Sequence, residues 1–179
     1  MELTHREIWT ALHGMILGAG FLLACAGGLG GLWFIRDGWV TPQGAARGMR
    51  WLAVWFWALA VSAWLTVIVG TWVIYPWYRA KAPSGTAGSD LAGYPKLLLL
   101  SRPQTADWHN LGMEWKEHIG WYTPILTTAV AFVILRCRRQ VLHDARIRRM
   151  LLALFSVAFL CASVAGLFGA MINKAAPTR

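Results

Sequence analysis

Apolar residues fall along this chain in four long blocks, at about residues 13–35, 51–76, 118–136 and 150–171. Each is near the ~20 residues a helix needs to cross ~30 Å of hydrocarbon. The polar stretches between them carry helix signals. Thr4-His5-Arg6-Glu7 fits a capping box just before the first apolar run, so a helix is expected to start at Thr4. Asp37-Gly38 reads as a turn, and Thr41-Pro42 as an N-cap followed by proline at the first helical position. Pro76, flanked by Tyr75, Trp77 and Tyr78, marks the exit of the second span at an aromatic belt. The fourth helix is expected to begin at Asp144 or Met150. Residues 79–104 form the longest polar connection, within which Leu97–Leu100 is too short to span and suits an interface or a partner. The pattern predicts an all-α integral membrane protein, one domain built as a bundle of four transmembrane helices.

Composition agrees with the pattern. The chain is 57% hydrophobic and 14% charged, with twelve tryptophans, against about 25% charged in soluble domains. The net charge of +9 belongs to membrane topology and not to nucleic-acid binding. Arg36, Arg47 and Arg50 cluster in the first connection, and Arg136, Arg138, Arg139, Arg146, Arg148 and Arg149 in the third, against only Asp37 and Asp144. The positive-inside rule then puts both termini and the 79–104 loop on the extracytoplasmic side of the inner, cytoplasmic membrane. The N-terminus is a poor signal-peptide n-region with no A-x-A site, so the first block is expected to be retained. Cys25, Cys137 and Cys161 form no CxxC or CxxCH, which excludes a thioredoxin-like pair and covalent haem attachment.

The run from Thr105 to Arg136 concentrates the candidate chemistry: His109, Met113, Glu114, Glu117 and His118 precede an uncharged apolar stretch. The first and third spans run parallel, so His13 and His118 enter the membrane at similar depth on one side. Two histidines at equal depth on different helices are what a bis-histidine haem b needs. The helical face of His13 continues through Gly20, Gly27 and Gly31, leaving room beside a flat ligand. The competing reading is two interfacial histidines bonded to headgroups or neighbours. His5 and His109 lie roughly 12 Å further out at 1.5 Å per residue, as candidates for a second haem or as ordinary solvated histidines. Glu114 is a candidate for proton transfer beside a quinone, while Glu2, Glu7 and Glu117 suit helix-dipole and ion-pair roles. The tryptophans of the second span read as belt residues at its ends and packing residues between.

Four spans with paired histidines look like the haem-b membrane subunits of respiratory oxidoreductases, a likeness of architecture alone. Such subunits usually carry two histidine pairs, one near each face; this chain has one, which points to haem on one side only. The expected function is a haem-b electron-transfer subunit of a larger complex, passing electrons between the quinone pool and an extracytoplasmic redox partner. The alternatives are a cofactor-free structural or assembly subunit, docking through its apolar 97–100 segment, and a metal-handling membrane protein using the outer histidines and glutamates.

Overall fold

The computed structural model describes residues 3–35 and 41–177, apart from the side chains of residues 42 and 89. Glu2, Arg36, the Asp37-Gly38 turn and Arg179 lie outside the described residues. Helix accounts for 88% of the structure, with no strand among the described residues. Four helices are long and apolar enough to cross a membrane: α1 His5–Phe34, α2 Gln43–Tyr78, α4 Pro103–Arg136 and α6 Ala145–Ala175. Among the described residues the connections add two short α-helices, α3 Pro95–Leu100 and α5 Arg138–His143, and a 3₁₀ helix at Gly88–Gly93.

Local chemistry fixes where these helices begin. Thr4 accepts the Glu7 backbone N–H while the Glu7 carboxylate accepts the Thr4 N–H, so the capping box is complete. Thr41 caps α2 by accepting the Gly44 N–H, and the Asp144 carboxylate caps α6 by accepting that of Arg146. At the other end of α5, the Arg148 guanidinium donates to the Val141 and Leu142 carbonyls, satisfying acceptors the short helix leaves free. A Thr4→Ala variant is expected to cost about 1 kcal/mol locally. Hydrogen exchange of the first-turn amides of α1 should then run roughly fivefold faster, with the rest of the chain unchanged.

The helices follow one another around a ring: α1 packs on α2 and α6, and α4 packs on α2 and α6. Helices α1 and α4 therefore stand on a diagonal. The centre is aromatic and aliphatic, with Phe56 of α2 edge-on to Phe155 of α6 at 4.7 Å between centroids. Leu32, Val130, Ile134 and Leu151 are buried around this pair. Gly28 lets α1 close on it, since a Cβ there would lie 2.9 Å from the Phe155 ring. Buried hydroxyls are tied to backbone carbonyls, Thr127 to Thr123 and Thr123 to Ala158 across to α6. Trp64 donates to Thr128 and meets Trp121 edge-on, so it is internal, whereas Trp51 and Trp72 are exposed.

Both terminal segments lie at the same end of the bundle. His5 packs edge-on to Trp77 at the end of α2, and Ile172 of α6 packs with Tyr78. The connection between α2 and α4 is folded. Its helix α3 sends Leu99, fully buried, among Tyr78, Met113, Ile172 and Ala176, with Leu98 beside it. Thr105 fastens the segment by donating to the Leu99 carbonyl at 2.8 Å. Leu98 and Leu99 thus pack on the chain's own bundle, while Leu100 of the same segment stays exposed. They form an apolar plug across the terminal end.

Candidate functional site

Three helices lose regular α geometry at the terminal end. The backbone adopts i→i+5, π-helical hydrogen bonding at Leu12–Ala19 of α1, Gly70–Ile74 of α2 and Trp108–Met113 of α4. Such segments are rare and recur at functional sites, because the extra residue per turn re-aims side chains. Here they frame a group of polar side chains between the core and the plug.

His13 stands in the first π segment, its half-buried ring laid against Gly70 in the second. A Cβ on Gly70 would lie 2.8 Å from the imidazole Cε1, so only glycine leaves space for the ring. The ring is also within reach of the Thr66 backbone and the Lys116 ammonium, while its Nδ1 is buried without a hydrogen-bond partner. Lys116 crosses from α4 to α6, where Gly169 makes room for it; a Cβ there would be 2.6 Å from Nζ. On the next position of α4, the Glu117 carboxylate accepts a hydrogen bond from the Tyr75 hydroxyl, yet its Oε1 is buried and unpartnered. Trp115 packs edge-on to Phe168 of α6, which fills the hollow over Gly112, and its Nε1 is likewise buried with no acceptor. Nearer the plug, Tyr78 and His109 share a hydrogen bond of 2.7 Å between the hydroxyl and Nδ1. Glu117 acts electrostatically on both.

Each buried polar atom left without a partner costs about 1–3 kcal/mol. Three such atoms are a large fraction of the ~5–15 kcal/mol that holds a typical fold together. Their location adds to the argument. At 1.5 Å per residue, α2 is roughly 54 Å long, about 24 Å more than a hydrocarbon core. Counting about 20 residues up from Trp51, the length that spans a hydrocarbon core, reaches the level of Gly70, where the polar group starts.

The residues singled out by sequence fall in different places. His118 is turned to the bundle surface with 70% of its side chain exposed, its Nδ1 3.0 Å from the Glu114 carbonyl and 3.4 Å from the Glu114 carboxylate. Glu114 is exposed beside it. His13, expected as the partner of His118, is half-buried, so the structure places the two rings in different surroundings. His13 feels the charge of Lys116 on α4, but α1 and α4 are diagonal and His118 lies on the outward face of α4 with Glu114. The residues present do not fit an iron held between those two rings. Gly27 and Gly31 hold Trp55 and Leu52 of α2, so the glycine face seats neighbouring side chains. The π segment between His13 and Gly20 slips the helical phase, which takes the glycines off the face of His13. Gly20 borders a shallow groove of about 120 Å³ between α1 and α2. His5 accepts a hydrogen bond from Trp9, and His109 is bound to Tyr78, so the outer pair is not brought to one centre. No three metal-ligating side chains converge among the described residues.

Lys116, Glu117, Tyr75 and Tyr78 carry the site; of these the sequence singles out only Glu117, and favours a helix-dipole or ion-pair role for it. One signal was present: Gly112, Met113, Lys116, Glu117 and Gly120 form a stripe at helical spacing opposite Glu114 and His118. Against known proteins, the chain matches no family model, no curated protein and no solved structure.

Proposed function

We propose that this chain is a multi-pass membrane subunit of a larger redox complex, and that the polar group around His13 receives a quinone head group from the bilayer. The observation that carries this reading is the set of buried, unpartnered polar atoms at the hydrocarbon boundary: His13 Nδ1, Trp115 Nε1 and Glu117 Oε1. A quinone's isoprenoid tail belongs in hydrocarbon and its two carbonyl oxygens need donors at that depth. Trp115 supplies an N–H donor, the neutral His13 ring, whose other nitrogen faces the Thr66 backbone, offers the Nδ1 lone pair to a quinol hydroxyl, and the Lys116 ammonium favours negative charge developing on a head-group oxygen. Glu117 is the base for a quinol proton, and Tyr75, already bonded to it, keeps the carboxylate aimed inward. From there the Tyr78–His109 pair leads toward the terminal end. Quinone chemistry moves two electrons and two protons; the electrons pass to a redox partner, and these residues handle the protons. In this reading the arginine-rich end faces the cytoplasm, and the partner is extracytoplasmic.

The test is titration of the detergent-purified protein with a short-tailed benzoquinone, read as quenching of tryptophan fluorescence. Trp115 lies in the site and Trp72 and Trp121 lie edge to edge nearby, so bound quinone quenches strongly. Saturable quenching is expected, weakened roughly tenfold in His13→Leu and in Glu117→Gln, and unchanged in His118→Ala. Quenching that never saturates, or that ignores His13 and Glu117, sinks the proposal. A reduced-minus-oxidised α-band lost in His13→Ala would return the site to haem.

A further inference from the structure

At the opposite end of the bundle, α2 presents Arg47, Arg50, Trp51 and Val54 on one exposed face, at i, i+3, i+4 and i+7. They line a groove of about 360 Å³. Trp51 is 69% exposed and Val54 59%, large apolar surfaces directly beneath two cations. Neither arginine is held by a hydrogen bond or ion pair within the protein among the described residues. Two other arginines at this end are engaged, Arg148 on the α5 carbonyls and Arg149 on Ala145. Asp144, the acid of this end among the described residues, is occupied capping α6. Below the groove the exposed face runs on through Val61, Leu65 and Ile68, apolar to the far boundary.

We propose that this groove is a seat for an anionic phospholipid. The phosphate lies against Arg47 and Arg50, whose planar forks match its oxygens in pairs. The glycerol ester region meets the Trp51 indole, an aromatic group suited to the membrane–water boundary. One acyl chain follows Val54 and the apolar face below. Charge complementarity selects an anion, and continuity with a membrane-facing stripe selects a lipid over a soluble phosphate or an acidic protein segment, which would use the cations and leave Trp51 and Val54 uncovered. Basic clusters beside a spanning helix recognise anionic lipids by this combination.

Native mass spectrometry of the intact protein, released from detergent doped with equal phosphatidylglycerol and phosphatidylcholine, tests it. The wild type retains phosphatidylglycerol in preference. Arg47→Ala with Arg50→Ala lowers that retention roughly tenfold, to the level of phosphatidylcholine. Trp51→Ala with Val54→Ser lowers retention of both lipids. Arg138→Ala with Arg139→Ala removes the same charge from the same end and leaves the preference intact. Equal loss in the Arg138/Arg139 variant shows a diffuse surface-charge effect and overturns the seat. Displacement of the lipid by millimolar inorganic phosphate overturns the lipid assignment in favour of a simple anion site.

Discussion

Gly28→Leu should lower the thermal unfolding midpoint by roughly 10 °C or abolish a monodisperse protein in detergent, while Gly30→Leu on the same helix leaves it nearly unchanged. A Cβ at Gly28 would meet Phe155 at 2.9 Å, Phe56 at 3.2 Å and Leu59 at 3.3 Å. Phe56 and Phe155 are both fully buried and already locked edge-to-face. Neither ring can yield without moving the other, so the added carbons push α1 away from α2 and α6 together. Overpacking of this kind costs about 1–3 kcal/mol and occasionally more, and about 2–4 °C follows each kcal/mol in a chain of this size. A Cβ at Gly30 has nothing within 4 Å. Both variants change helix propensity equally, so the difference between their melting curves isolates the contact. Equal midpoints would mean that α1 does not close on the Phe56–Phe155 pair.

Leu99→Asp should open the plug. The leucine is fully enclosed by Tyr78, Met113, Ile172 and Ala176, and burying a carboxylate there without a partner costs several kcal/mol. Releasing α3 forfeits only the ~1.5–3 kcal/mol that a buried leucine contributes, plus the Thr105 hydrogen bond. Undocking is the cheaper response, so the segment should swing out while the four spans stay assembled. A thiol placed at Met113, beneath the plug, reports the change. In Met113→Cys, a water-soluble maleimide should react slowly, and adding Leu99→Asp should accelerate it roughly a hundredfold, since each ~1.4 kcal/mol is a factor of ten. Equal rates in the two proteins would show that α3 does not seal the site.

Backbone-level chemistry was legible in the sequence. Thr4, Thr41 and Asp144 each carry a side-chain acceptor just ahead of a helical run, and each caps the expected helix. The number of long apolar helices was equally readable, because hydrocarbon thickness translates directly into residue count. Rotation was not. Depth along a span follows from residue number, so His13 could be placed level with the start of the third span. Which way a side chain points depends on neighbours that no single helix specifies. Lys116 and Glu117 turn inward because Gly169 and Tyr75 receive them from other helices, and His118, one position further, is carried outward. The π segment at Leu12–Ala19 compounds this, since a regular 3.6 period projects Gly20 and Gly31 onto the face of His13 and the wider turns shift them off it. The four-leucine segment was ambiguous for the same reason: its apolarity demands cover, and its sequence does not say whose.

The plug also sets an order of events during synthesis. Leu99 emerges from the ribosome well before Ile172 and Ala176, two of the residues it is buried against. Lys116 likewise waits for Gly169. Until the last span is inserted, Lys116 lacks the surface it packs against and Leu99 lacks part of its enclosure. Closure of this end of the bundle is thus a late step in assembly.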